Sequence, residues 1–357
     1  MNIQENFPLS TITSFGTGGM AELLIQVHDT EELFQILANH KKPLWVLGSG
    51  ANSLISDEGL PGTTIQLKNS QIELTEESNS VTVVVDAGIE WDYLIRELIK
   101  NGLWGLELTS GIPGSVGAAV VGNIAAYGQS VSDALIWVDA IDTESNSSEP
   151  VRLIADQLGL SYRYSDFQTE ALNKHIITRA AFTLQRSSTM FLNYASALKI
   201  SDELNIEPDT LENRRTIIME SRKRAGSLLD PAQTDHEKTA GSFFRNPMVS
   251  REQAEKIISK EEFGVSESEI LNQNLLHSGD SFRISAAHVL LAAGFNRGQS
   301  WGSVRLHPEH VLKIENTGGA TSQQIYNVAK EIIETVEHKL HVQLKPEVRM
   351  LGRFSQP

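Results

Sequence analysis

Several short stretches hold residue types able to do chemistry. From Leu106 to Gly128, Gly111, Gly114, Gly117, Gly122 and Gly128 fall among alanines, serines and small aliphatics. Such backbone is bare and approachable, suited to laying amide N–H groups against something flat or anionic. Close packing of small residues with no ligand is the alternative. Glycines at this density also argue against a stable ordinary helix here. A second glycine turn, Gly48-Ser49-Gly50-Ala51-Asn52-Ser53, follows the apolar run Leu44–Leu47. A Gly-x-Gly directly after a strand invites a dinucleotide-fold reading. It fails, because Ser53 stands where a third glycine belongs and Leu54-Ile55-Ser56-Asp57 reads as strand and turn, not helix.

Three sites offer side chains. Tyr162-Arg163-Tyr164 sets a guanidinium beside aromatics, which serves anion recognition or simple surface stacking. Gly241-Ser242 precedes Phe243 and Phe244, whose burial would hold the hydroxyl at a core edge; a turn serine is the plainer reading. Glu347 follows Pro346 and precedes a predicted strand, where a solvated carboxylate is the ordinary outcome. His307 and His310, like His338 and His341, are paired by spacing, but no third ligand accompanies them, so no metal site is expected.

The elements that must position these groups follow from local signals. Asp29 with Glu32 opens a helix buried through Leu33, Ile36 and Leu37. Val81–Ala87, Leu135–Ile141 and His175–Leu184 are predicted strands, and Trp91–Lys100 an amphipathic helix. Thr143–Pro150 is a polar turn. Further helices run from Thr210 to Arg224, from Ser250 with Gln253, from Ser285 to Ala293, and from Thr321 with Gln324. The irregular order of strands and helices indicates α+β. A polar connector from Ser227 to Thr239 marks a domain boundary.

The chain has 357 residues, a formal charge of −15 and no cysteine. The charge argues against a nucleic-acid partner, and the missing cysteine removes disulfides and thiolate chemistry. The amino terminus lacks a secretory pattern and no apolar run is long enough to cross a bilayer, so a cytoplasmic protein without membrane insertion is expected.

In this order and at these separations, several motifs resemble the UDP-N-acetylenolpyruvoylglucosamine reductase family. They are Thr13-Ser14-Phe15-Gly16, Leu47–Ser53, Gly105-Leu106-Glu107, Ile112-Pro113-Gly114-Ser115-Val116-Gly117-Ala118, Asn123–Gly128, Tyr162-Arg163, Ala240–Pro247 and Pro346-Glu347-Val348-Arg349. The Asn-Ile-Ala-Ala-Tyr-Gly form and the long segment from Gln185 to Asn205 look like its longer branch.

The resemblance implies an FAD-binding fold of the vanillyl-alcohol-oxidase type in two subdomains, residues 1–72 (joined by 345–357) and 73–226. A C-terminal α+β substrate domain, residues 227–344, completes it. It implies FAD held by Gly48, Ser49, Gly50, Ala51, Asn52, Ser53, Ile112, Pro113, Gly114, Ser115, Gly117, Gly122 and Asn123. The first turn has no histidine, so the flavin should be non-covalent. NADPH is the implied hydride donor and a UDP-sugar enolpyruvyl ether the substrate, reduced in peptidoglycan precursor synthesis by a monomer. Arg163, Ser242 and Glu347 take the catalytic roles. Tyr162, Tyr194, Asn246, His310 and a cation from Arg222-Lys223-Arg224, taken as Lys223, take the substrate. The lysine pattern usual before the Asp-Pro turn is replaced here by Lys-Arg-Ala-Gly-Ser-Leu-Leu-Asp-Pro.

Overall fold

A computed structural model describes residues 1–145, 149–188, 190–228, 237–258, 275–278 and 281–355. The chain divides into two compact units. The first comprises Met1–Phe7, Ala21–Ala51 and Pro61–Asp230, the second Pro8–Met20, Asn52–Leu60 and Pro231–Pro357. Three regions were expected from sequence, with a break at 226/227 and residues 345–357 joined to the first. Arg349–Leu351 of the C-terminal segment pairs in parallel with Ser53–Ile55, and both fall in the second unit.

In the first unit, a five-stranded antiparallel sheet runs in the order Val151–Ile154, Leu135–Asp142, His175–Leu184, Val81–Asp86, Ile72–Glu76. Its central strands alternate inward apolar residues, and the helix Trp91–Lys100 covers them with Trp91, Leu94, Ile95 and Leu98. Trp91 meets Phe182 edge-on at 6.0 Å, and its indole donates to Thr109 Oγ1 at 3.0 Å. A four-stranded sheet carries Leu44–Val46, which pairs in parallel with Leu60–Leu67 and leads into the first glycine turn. The helix Thr30–Asn39 packs Leu33 and Ile36 there, opened by Glu32 N donating to Asp29 Oδ1 at 2.8 Å.

In the second unit, the helix Ser322–Leu340 buries Ile325, Val328, Ile332, Val336 and Leu340 in one apolar core with Phe243 and Phe244. Its start is fixed twice: Thr321 and Gln324 form the expected reciprocal cap, and the Asp57 carboxylate accepts from Ser322 N and Gln323 N. Such a negative group at a helix N-terminus meets the exposed amides and the dipole together. Short strands Val304–Leu306 and Ile314–Asn316 pair antiparallel beside it.

One expectation is overturned. Val116–Gly122 is a seven-residue α-helix despite its glycines. Ser115 caps it, and Gly117 is required by packing, since a Cβ there would stand 3.1 Å from the Cβ of Ala87. Tertiary contact outweighs propensity at this spot.

Candidate active site

Both glycine stretches lie largely in the first unit, and they meet. A Cβ on Gly48 would come within 3.1 Å of both Ser115 Oγ and Ala118 Cβ. Gly50 takes φ +82° and Gly114 φ +128°, values that suit glycine. Among the described residues, no hydrogen bond takes up the amides of Ser49, Gly50, Ala51, Gly114 or Ser115. A Cβ on Gly114 would meet nothing within 4 Å. Unspent amides around an open face fit a diphosphate and a flat ring system. Ile112 and Pro113 complete that loop.

Asn123 spends its side chain within the protein. Nearly buried at φ +39°, it donates from Nδ2 to Ser161 O at 2.7 Å and accepts from Ser132 N at 3.0 Å. It therefore ties the second glycine stretch to the Tyr162-Arg163 turn. Ser161 and Tyr164 exchange both backbone bonds, leaving Tyr162 and Arg163 as the turn's tip. Arg163 sits at φ +54°, a conformation costly for a non-glycine residue. Gln168 donates to Arg163 O and Val121 O, and Ser165 Oγ also donates to Val121 O, so the strained turn is pinned.

Tyrosines gather near this arginine. Tyr127 and Tyr194 pack edge-on with ring centroids 5.1 Å apart. Tyr194 stays about half exposed, yet the water it loses, with the phenols of Tyr127 and Tyr162 beside it, pushes it up against the opposing pull of Arg163. Its hydroxyl is thus held as a neutral donor. Tyr127, given no role from sequence, was visible only as part of the Asn123–Gly128 motif.

Arg222, Lys223 and Arg224 point three ways. Arg224 pairs with Glu220 and Glu203. Lys223 lines a groove of about 520 Å³ with Ile99, Glu212, Arg215 and Met219. Arg222 turns inward, donating to Ser227 O at 2.8 Å. Burial lowers its pKa and nearby Arg163 adds to this, while Tyr127 and Asp92 oppose it. Arg222 therefore lies within the field of Arg163.

The helix bearing them, Leu211–Arg224, also braces the glycine-rich loop. Arg214 Nη1 reaches Glu107 Oε1 at 2.8 Å with both side chains almost fully buried, 5% and 1% exposed. Glu107 also accepts from Gly105 N and Gln129 Nε2. Arg215 binds Asp92 through both terminal nitrogens, and the same carboxylate accepts from Gly111 N at 2.6 Å. Burial would raise Asp92, but Arg215 and the Gly111 amide outweigh it and keep it below the usual carboxylate range.

In the second unit, Phe243 and Phe244 are buried at 0% and 1% exposure, which fixes Gly241-Ser242 at the edge of the core. The Ser242 segment pairs with the one carrying Glu347: Glu347 N donates to Phe243 O at 2.8 Å and Arg245 N to Lys345 O at 2.9 Å. Asn52 Nδ2 reaches Glu347 O at 3.1 Å, and Arg349 N donates to Asn52 O at 3.0 Å. Ser242, Glu347 and Asn52 are thus brought together, with Ser53 buried in the parallel strand pair. Asn246 Oδ1 accepts from Ala286 N at 2.9 Å, capping a helix start and leaving its amide nitrogen to donate elsewhere.

His310 Nδ1 accepts from Leu312 N at 3.3 Å. Burial, reinforced by Lys313, lowers His310 to about 4, so the ring is neutral at pH 7 and its remaining N–H is a donor. Among the described residues no cluster has metal-binding composition, and no helix is long and apolar enough to cross a membrane.

Residues 21–146 match the FAD binding domain family, and residues 230–351 the C-terminal domain of UDP-N-acetylenolpyruvoylglucosamine reductase. The reductase of that name from Thermobifida fusca is 32% identical over 97% of this chain and 97% of its own length. The one from Flavobacterium johnsoniae is 31% identical over 98% and 100%. The solved UDP-N-acetylenolpyruvylglucosamine reductase from Thermus caldophilus superposes with a TM-score of 0.64 over 99% of this chain and 100% of its own, at 24% identity, a likeness of fold.

Proposed function

The chain belongs to the UDP-N-acetylenolpyruvoylglucosamine reductase family and is an FAD-dependent oxidoreductase, and from that premise we propose its reaction and the residues that carry it. The enolpyruvyl group of UDP-N-acetylglucosamine-enolpyruvate is reduced to UDP-N-acetylmuramate with NADPH as donor, by a cytoplasmic monomer serving peptidoglycan precursor synthesis. FAD, held non-covalently by the amides of the two glycine stretches, supplies the hydride chemistry when bound.

The chain's own residues handle charge and proton. Hydride arriving at the outer vinyl carbon builds negative charge on the inner carbon and its carboxylate. Arg163, always charged and planar, is suited to stabilise that carboxylate. Ser242 gives the proton: its O–H bond breaks as the C–H bond forms on the inner carbon. Glu347 polarises the same carboxylate, as its protonated form or through a water. Tyr162, Tyr194, Asn246, His310 and Lys223 are assigned to the substrate. The inward turn of Arg222 makes it the stronger claimant for the phosphate charge.

The observation that carries this reading is the pairing of the Ser242 and Glu347 segments over a buried Phe-Phe floor. The test mixes holoenzyme with NADPH anaerobically, follows flavin bleaching, then adds the enolpyruvyl UDP-sugar. Colour should return; persistent bleaching removes the assignment.

A further inference from the structure

The turn that carries Arg163 hangs from the helix that carries the second glycine stretch. Val121 lies in the last turn of Val116–Gly122, where a carbonyl has no partner within the helix. Its oxygen accepts twice, from Ser165 Oγ at 2.7 Å and from Gln168 Nε2 at 2.8 Å. The same amide nitrogen donates to Arg163 O at 3.2 Å, so one side chain spans the arginine's own peptide and the end of the helix.

Local structure puts those donors in place. Asp166–Gln168 is a single 3-10 turn, closed by Gln168 N donating to Ser165 O at 3.0 Å. Phe167 within it is buried in the apolar core under the five-stranded sheet, and Ser165 is buried as well. With both neighbours sunk, the Gln168 amide is held where it reaches back over the turn. Arg163 needs that restraint. At φ +54° its backbone is in the left-handed region, which an arginine keeps only while surrounding bonds enforce it. A relaxed turn would redirect the guanidinium.

We infer that Gln168 is a positioning residue for Arg163, with Ser165 in support. The two hold the arginine's strained backbone against the end of the helix that Ser115 opens, and so fix where the guanidinium stands relative to the flavin. This rests on the reading of Arg163 as the group that stabilises the substrate carboxylate. Neither Gln168 nor Ser165 takes part in the chemistry; each acts through Arg163.

Anaerobic stopped flow with holoenzyme reads the two half-reactions separately. Gln168→Met keeps the length of the side chain and loses both donated bonds. Bleaching by NADPH should stay within about twofold, while recolouring by the enolpyruvyl UDP-sugar slows by about 10- to 100-fold. Ser165→Ala gives up one of the two bonds to Val121 O and should slow recolouring by about threefold. Both substitutions are then repeated in Arg163→Ala. There they should alter recolouring by less than about twofold further, because no guanidinium remains to be aimed. A role confined to folding or cofactor retention would slow both backgrounds alike. That result, unchanged recolouring in Gln168→Met, or equal slowing of both half-reactions overturns the inference. If Gln168→Met does not fold, Ser165→Ala decides by the same criteria. Arg163→Ala separates the levels: if it is slow and neither Gln168→Met nor Ser165→Ala is, only the positioning role falls. If Arg163→Ala recolours normally, the reading beneath it falls too.

Discussion

The two units offer functional groups in opposite ways. The first presents backbone: Ser49 to Ala51 and Gly114 to Ser115 hold out amides, and the residues around them are small so that chain can come close. The second presents side chains, Ser242 and Glu347, from paired extended segments over Phe243 and Phe244. A site made of amides is only as exact as its backbone, so the first unit fastens its loop with charge, through Glu107–Arg214 and Asp92–Arg215. A site made of side chains needs a firm floor, which an apolar core supplies. Substitution should therefore uncouple chemistry from stability in the second unit and couple ligand binding to scaffold in the first.

Ser242→Ala should have the largest effect. It removes the assigned proton donor, so recolouring by substrate should slow by about 10²- to 10⁴-fold while NADPH bleaching stays near wild type. Its urea midpoint should not move, because the phenylalanines beneath keep their packing. A lowered midpoint alongside lost activity would blur the proposed contrast.

Glu107→Ala should do the reverse. It leaves the Arg214 guanidinium buried without its carboxylate, which costs about 3–5 kcal/mol in comparable settings. Urea unfolding followed by far-ultraviolet dichroism measures this. A loss below about 1 kcal/mol would mean that the loop is held by other contacts.

How much of this was legible follows the range of each interaction. The helix starts at Asp29, Ser250 and Thr321 were read correctly because each cap and its partner lie three residues apart. The burial of Phe243 and Phe244 was equally plain from type. Glu107 and Arg214 are 107 residues apart, and nothing local announces their pairing. Ile72–Glu76 and Val151–Ile154 escaped notice because, at the edges of their sheet, they are mostly exposed and carry little apolar alternation. Nor could sequence choose among Arg222, Lys223 and Arg224, since successive helical residues point about 100° apart and only the packed helix decides which faces inward. The glycines of Val116–Gly122 misled for a related reason: Gly117 is there to let Ala87 approach.

His310 offers a smaller effect, visible as pH dependence. Burial lowers it from its ordinary 6.5 to about 4, so between those values the unfolded chain binds a proton that the folded chain refuses. Unfolding free energy then rises with pH across this window, and acidification from 6.5 to 4 removes roughly 3 kcal/mol through this group. His310→Gln keeps a neutral donor and cannot titrate, so its stability should fall less over the same range. Parallel curves for the two proteins would show that His310 is more exposed to water than its packing implies.

The finest test returns to the amide site. Gly48 has an ordinary backbone conformation, so an alanine there is opposed only by Ser115 Oγ and Ala118 Cβ at 3.1 Å, contacts tight enough to need a shift of a few tenths of an ångström. That shift moves the cap of Val116–Gly122 and the start of the second glycine stretch together. Gly48→Ala should cost about 1 kcal/mol of stability or less. Yet it should weaken FAD retention several-fold, measured as flavin fluorescence released on dilution, because both sets of amides would be displaced. Unaltered retention would mean that the two stretches hold the cofactor independently, and that their contact at Gly48 serves packing alone.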